Sequence, residues 1–305
     1  MAASIIMSVT AGGSRKTAAT DPKTIAVITP YFAQPGTQLY ISGLKEAATQ
    51  LGWQLDIVDT AGDIDAINDA IERAVADKAD AVVINVDPDL ISRGMAAAAN
   101  ANLPVVGMDS GAHPLLVSNV TSNGFAMAAE TAAYVANRIK GEGKVIMLVY
   151  DHFPPVQKRA AIADAVFANY QSIEVIERIT PDITDGGVAD TKAQISKILE
   201  ANPEPGSISA IWAGWDQPAL GALQAIEAAG RTGEGIVIVG MDGTAEALQA
   251  IQSGSNLEAT ITQDFQGIGH TTAAVVARVL SGKEVVEIEI YLPTRLSTRA
   301  SLSED

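Results

Sequence analysis

The chain carries its ground plan twice. Val106-Gly107-Met108-Asp109 returns as Val239-Gly240-Met241-Asp242, and Ala81-Val82-Val83-Ile84-Asn85-Val86-Asp87 returns as Ala210-Ile211-Trp212-Ala213-Gly214-Trp215-Asp216 at nearly the same offset. One four-residue echo has little weight; two in register, inside a matching order of elements, mark a duplicated unit. In the first unit the apolar runs predict strands at 24–29, 53–58, 81–85 and 104–108, separated by helices over 38–51, 64–76 and 90–102. Helix 38–51 places Ile41, Leu44, Ala48 and Leu51 on one face, and helix 64–76 does the same with Ile64, Ile67, Ile71 and Val75. In the second unit strands are predicted at 144–149, 173–179, 208–213 and 236–241, with helices over 156–170, 189–199 and 218–229. Strands that are apolar throughout must be covered on both faces, and amphipathic helices between them supply the cover, so the sheets should be parallel. The expected fold class is α/β: two similar, doubly wound parallel-sheet lobes. A length of 305 residues agrees, because it exceeds what one hydrophobic core normally organises.

Composition removes several functions. Thirty-six Asp and Glu against 20 Lys and Arg give a formal charge of −16, and no basic stripe offsets it, so nucleic-acid binding is not expected. Cysteine is absent, which excludes disulfides, thiol catalysis and Cys-ligated metals. No run of about 18 apolar residues occurs, so no membrane insertion is expected. His113, His152 and His270 lie far apart without metal-ligand spacing. Ser110, Ser207 and Ser209 fit no nucleophile elbow, and the glycine-rich stretch 230–235 lacks the dinucleotide and phosphate-loop patterns. Neither catalysis, nor a metal, nor a cofactor is therefore expected. Residues 1–22 are set apart: rich in Ala, Ser, Thr and Gly, with an apolar patch at 5–9 and small residues at Val9-Thr10-Ala11, they read as the tail of a secretion signal or as a leader without an address.

In open parallel sheets, ligands bind beyond the carboxyl ends of the strands. Asp109 and Asp242 each end a strand, one per lobe. If the two edges face each other, two carboxylates converge on one cleft, where they can accept hydrogen bonds from a hydroxyl-rich ligand. The alternative is that each aspartate only caps the helix that follows.

From about residue 24 to 297 the chain resembles the periplasmic sugar-binding proteins of the ribose-binding type, the soluble receptors of ABC importers. The resemblance rests on Val106 to Asp109, Trp215-Asp216 followed by Ala219-Leu220-Gly221-Ala222-Leu223, Ile238 to Thr244, and Ala259-Thr260-Ile261-Thr262-Gln263. Ile25-Ala26-Val27-Ile28 and Gly43-Leu44-Lys45-Glu46-Ala47 add to it. It implies a type I fold whose lobes are joined by a three-segment hinge, with crossings near 118–123, near Gln263 and near 288–292, and a returning helix at 268–280. Lobe one would be 23–121 plus 264–288, and lobe two 122–263 plus 289–305. It further implies a non-catalytic receptor that is exported to the periplasm, acts as a monomer, closes on a monosaccharide or polyol and delivers it to an ABC importer permease.

Carried over position by position, Asp109 and Asp242 fall on the family's ligand carboxylates, Arg159 on its cleft arginine and Gln263 on its hinge glutamine. An arginine fork satisfies two adjacent oxygens, and an amide both donates and accepts. Several positions depart from the pattern. Ser110 stands where the family often has an arginine. Trp215 replaces an expected asparagine and offers a flat surface for sugar C–H faces. Gly36-Thr37 occupy the place of two phenylalanines, although Tyr31, Phe32 and Gln34 lie just upstream in the same loop. His152 follows a lobe-two strand and is expected in the cleft wall, whereas Trp212 reads as core. These swaps leave the identity of the sugar open. Two other uses of the fold share this pattern: a sensor that presents bound sugar to a histidine kinase or chemoreceptor, and the effector module of a lac-repressor-like regulator. Only about 20 non-basic residues precede the first strand, too few for a helix-turn-helix headpiece.

Overall fold

A computed structural model describes residues 22–184 and 186–303. The possible leader at 1–21 lies outside the described residues. Two six-stranded sheets form two lobes. Sheet one is built from β1 (Thr24–Thr29), β2 (Gln54–Asp59), β3 (Ala81–Ile84), β4 (Val105–Met108), β5 (Asn119–Ser122) and β11 (Glu289–Leu292), in the order β11-β5-β4-β3-β1-β2. All its pairings are parallel. Sheet two repeats the plan with β6 (Glu142–Leu148), β7 (Ser172–Ile179), β8 (Ala210–Ala213), β9 (Val237–Asp242), β10 (Leu257–Gln263) and β12 (Thr294–Thr298), in the order β12-β10-β9-β8-β6-β7. Only β12 runs antiparallel to its neighbour.

The central strands are buried along their whole length, whereas the edge strands β2 and β7 alternate between exposed and partly buried residues. Helices α1 (Pro35–Leu51), α2 (Ile64–Ala76) and α3 (Ser92–Asn100) cover sheet one, and α5 (Pro154–Phe167), α6 (Val188–Ala201), α7 (Asp216–Ala228) and α8 (Ala245–Ser253) cover sheet two. Each sheet therefore has an apolar core on both faces. Trp212 sits in one of these cores, fully buried, with its indole N–H donated to Thr131 Oγ1 at 3.0 Å.

Two helices are exchanged across the connection. Helix α4 (Gly124–Arg138) follows β5 of sheet one yet packs on α5, while α9 (Phe265–Leu280) follows β10 of sheet two and packs back on α1. The chain thus passes between lobes three times, at Asn123, Asp264 and Pro293. Asn123 and Asp264 are also helix caps: their side chains accept from Ala126 N at 3.1 Å and Gly267 N at 2.8 Å. Residues 289–292, grouped with the second lobe from sequence, pair with β5 in sheet one. The last crossing consequently falls at Pro293. A proline suits this position, because its missing N–H would have no ladder partner there.

Candidate ligand-binding site

Each V-G-M-D echo ends a central strand, and the fold explains its composition. A Cβ on Gly107 would lie 2.7 Å from Asn119 Oδ1, and one on Gly240 would lie 2.3 Å from Asp216 Oδ1, so both strands need glycine where a buried polar side chain crosses them. The aspartate that follows has positive φ in both lobes, +54° at Asp109 and +133° at Asp242. Such backbone is sparsely populated by residues other than glycine, and it is held by the surrounding hydrogen bonds. Asn85 donates to the carbonyl of Asp109 at 3.1 Å, and Asp109 N donates to Val120 O at 2.8 Å.

These two strand ends face a single cleft of about 520 Å³, including the space at its mouth. Lobe one contributes Tyr31, Gln34, Gly36, Thr37, Tyr40 and Asp109; lobe two contributes Tyr150, Phe153, Val156, Arg159, Ile183, Trp215 and Asp242. The lobes are closed on each other. Tyr31 meets Phe153 edge to face at 5.1 Å, and Lys158 Nζ of α5 pairs with Glu289 Oε1 of β11 at 2.7 Å.

The floor of the cleft is charged and buried. Asp109 is 4% exposed and accepts from Thr121 Oγ1 at 2.5 Å. Arg159 is 3% exposed; its Nη1 donates to Gly214 O at 2.8 Å and lies 3.8 Å from Asp242 Oδ1. Gln263 ends β10 and donates from Nε2 to Asp242 Oδ1 at 2.7 Å. Among the buried polar atoms without a partner in the described residues, two belong to this group: Arg159 Nε and Gln263 Oε1. Unpaired polar atoms of this kind are costly inside a protein, and here they sit beside a cavity.

Burial pushes the carboxyl of Asp109 up from its ordinary value, with Arg159 and the Thr121 hydroxyl pulling it back. Asp242 is pushed well above the ordinary value, first by burial and then by Asp216 and Asp109, with Arg159 opposing. Asp216 is itself fully buried at the first turn of α7, and burial raises it too, but it is well supplied with donors. It accepts from Thr260 Oγ1 at 2.6 Å, Thr244 N at 2.8 Å and Thr244 Oγ1 at 3.1 Å. Asp216 therefore fastens α7, β10 and the N-terminus of α8 together behind the cleft.

Of the residues singled out from sequence, Asp109, Arg159, Trp215, Asp242, Tyr31 and Gln34 line this one cavity, and Gln263 backs it through Asp242. Three fall elsewhere. Ser110 is fully buried off the cleft: its hydroxyl donates to Ile84 O at 3.0 Å and accepts from Val86 N at 3.2 Å, so it ties β3 to β4. Phe32 packs against the core of lobe one. His152 is exposed, stacks edge-on to Tyr150 at 5.7 Å, and lines the outer mouth beside Asp59 and Asp182. Sequence reasoning passed over Tyr40, Tyr150, Phe153, Val156 and Ile183. Tyr40 shares a hydrogen bond with Thr37 (3.1 Å between oxygens), and its position four residues after Gly36 on α1 was the available signal. Among the described residues no cluster of three or more His, Asp or Glu is placed to hold a metal ion, and no helix is long and apolar enough to cross a membrane.

Comparison with known proteins agrees with this geometry. The putative rhizopine-binding protein of Rhizobium meliloti is 28% identical over 294 residues, covering 92% of each chain. The ribose import binding protein of Bacillus subtilis (strain 168) is 27% identical over 259 residues, covering 84% of this chain and 81% of that one. Among solved structures, an ABC transporter solute binding protein from Agrobacterium vitis with bound allitol superposes with a TM-score of 0.86 at 28% identity, covering 93% of this chain and 97% of that one. The family model described as a periplasmic binding protein domain matches residues 25–284. The chain, with its two wound lobes closed over one polar cleft, belongs to the periplasmic binding protein family.

Proposed function

We propose that this protein is the solute-binding receptor of an ABC importer, capturing a monosaccharide or polyol between its lobes by hinge closure. The observation that carries the reading is the convergence of Asp109 and Asp242, from equivalent strand ends of different lobes, on one enclosed cavity with Arg159 between the walls. A ligand shifts the open–closed equilibrium only through contacts it makes better in one state, and a site divided between lobes supplies that difference on closure. Asp109, Asp242 and Arg159 hold the hydroxyls, Gln263 fixes Asp242 and offers its own carbonyl oxygen, and Trp215 and Tyr31 cover the C–H faces. Gln34 completes the lobe-one wall, and His152 stands at the entrance.

The moving bodies are residues 23–122 with 264–292, and 123–263 with 293–303. The bound sugars and polyols in the names of the relatives support this ligand class, and the periplasmic family supports an exported, monomeric receptor that hands its ligand to a permease. The test is a melting-temperature screen of pentoses, hexoses and polyols, since a ligand that binds only the folded state raises the transition by mass action. A rise of several degrees with at least one of them, confirmed by calorimetry, is expected. No response from any monosaccharide or polyol overturns the reading.

A further inference from the structure

The lobe-one wall of the cleft is wired to a residue that does not line it. Asn85 follows β3, is 1% exposed and lies outside the cleft lining. Its Nδ2 donates to Met108 O at 3.0 Å and Asp109 O at 3.1 Å. Its Oδ1 accepts from Thr29 Oγ1 at 2.9 Å and from Thr37 Oγ1 at 3.4 Å. A primary amide has two donors and two acceptor sites, so all four are in use and none is left for a ligand. The two carbonyls also fix which way the amide is turned, because its oxygen would repel them.

The network runs one step further. Thr37 gives its proton to Asn85, so the bond it shares with Tyr40, 3.1 Å between oxygens, is donated by the Tyr40 hydroxyl. Thr29 Oγ1 accepts in turn from Tyr31 N at 3.0 Å. Tyr31, Thr37, Tyr40 and Asp109 of the cleft lining therefore stand within two hydrogen bonds of one amide. Asp109 depends on it most. Its φ of +54° is held only where the surroundings enforce it, and Asn85 grips the carbonyls on both sides of that turn.

Duplication shows that this task belongs to lobe one. The echo of residues 81–87 in 210–216 aligns Asn85 with Gly214. A Cβ at Gly214 would lie 2.8 Å from Val156 Cγ1, and the carbonyl of Gly214 accepts from Arg159 Nη1 at 2.8 Å. Asp242 is held by Gln263. In lobe two the polar groups of the floor hold one another; in lobe one a separate residue holds them from behind.

Resting on the receptor reading above, we infer that Asn85 is the positioning residue of the lobe-one half-site: without touching ligand, it sets the turn of Asp109 and the placement of Tyr31, Thr37 and Tyr40. The half-site is thereby shaped before the ligand arrives, so less ordering is left to be done on binding.

The experiment is a double-mutant cycle read by calorimetry, with D-ribose, D-glucitol and myo-inositol as probes and the tightest of them carried through. Asn85→Ala should weaken it about tenfold or more while thermal melting stays cooperative. In an Asp109→Asn background the same substitution should cost less than threefold, because the group it positions is already altered. In a Trp215→Phe background, on the other lobe, the full loss should persist. Equal losses in both backgrounds, or wild-type affinity in Asn85→Ala, overturn the inference. Asn85→Ala leaves two buried carbonyls short of a donor, so a gentler pair decides the matter if that variant does not fold. Thr29→Val removes the hydroxyl that serves Asn85 and Tyr31, and Thr29→Ser keeps it. The valine variant should bind at least threefold more weakly than the serine variant; equal affinities overturn the inference. Each of these reversals leaves the receptor reading standing, since wild type still binds. No binding to wild type by any of the three probes, nor by any other monosaccharide or polyol, overturns both.

Discussion

Gln263 gives its amide N–H to Asp242 at 2.7 Å and keeps its carbonyl oxygen buried without a partner. One side chain therefore sets the position of a cleft carboxyl and leaves an acceptor beside it, at the strand end from which the chain leaves sheet two for α9. Loss of this residue should be felt in binding rather than in folding. Gln263→Ala removes a hydrogen bond to the buried Asp242 carboxyl, a contribution of about 0.5–1.5 kcal/mol, so affinity should fall roughly two- to tenfold. Calorimetry with the best ligand of the screen reads the loss, and thermal melting of the ligand-free variant should change little. Unaltered affinity would mean that Asp242 is placed by other contacts.

Asp242 itself should show a conflict between stability and binding. Its folded-state pKa is raised above 3.8, mainly by burial. Between those two values the unfolded chain binds fewer protons than the native one, so the contribution of Asp242 to stability falls as pH rises. The contribution of this carboxyl to the ligand-free protein's melting temperature should therefore fall as pH rises from 3.8 through the raised folded-state value. Asp242→Asn removes the charge and keeps the shape, with the same backbone demand, φ of +133°, that aspartate already meets. The variant should match or exceed wild type in melting temperature at neutral pH, show a shallower pH dependence and bind ligand at least tenfold more weakly. Identical pH slopes for the two proteins would show that this carboxylate is not the source.

Trp215 is 7% exposed, leans edge-on to Tyr150 at 6.3 Å and shares the cleft wall with Phe153. Stacking of this type is worth about 0.5–1.5 kcal/mol beyond simple burial. Trp215→Ala should therefore weaken ligands with an apolar C–H face by about tenfold, and ligands without one by much less. Of the three tryptophans, Trp212 is locked in the core by Thr131 and Trp53 packs against the core of lobe one. Ligand-induced change in fluorescence should accordingly vanish in Trp215→Phe. Equal losses across a ligand panel, or a fluorescence change that survives, would place Trp215 outside the contact surface.

Much of this site was legible because duplication labels equivalent positions. Asp109 and Asp242 could be found from sequence since each closes the same buried strand, and a sheet of this winding has only one end at which ligands bind. Ser110 was misread for an instructive reason: adjacency to Asp109 in sequence does not decide which way a side chain turns, and its hydroxyl is consumed by Ile84 and Val86. Helix α4 escaped notice because its buried residues are mostly small, including Gly124, Ala128, Ala132 and Ala136, which leaves weak hydrophobic contrast. Tyr40 and Thr37 escaped because α1 starts at Pro35, ahead of its apolar periodicity; proline fits the first helical position and brings the polar opening turn to the cleft. The partners of Gln263 and Lys158 are separated in the chain by 21 and 131 residues, and no local pattern connects them.

The pairing of Lys158 with Glu289 joins the lobes without touching the cavity, and it should govern affinity through closure alone. Lys158 precedes Arg159 on α5, and Glu289 begins β11, the last strand of sheet one before the third crossing. Glu289 lies below its ordinary pKa: burial acts to raise it, but hydrogen bonds from Lys158 and Tyr291 outweigh that. The pair is mostly buried and joined to Asn119, so it is worth more than an exposed ion pair, about 1–2 kcal/mol for the closed form. Glu289→Gln should weaken ligand binding about five- to twentyfold by favouring the open state, with ligand preference unchanged because no contact to ligand is altered. Small-angle scattering should report a larger radius of gyration for the ligand-free variant. The charge-swapped pair Lys158→Glu with Glu289→Lys should recover part of the affinity that either single reversal loses. Full wild-type affinity in Glu289→Gln would mean that closure is held by the ligand and by Tyr31 against Phe153, with the ion pair following passively.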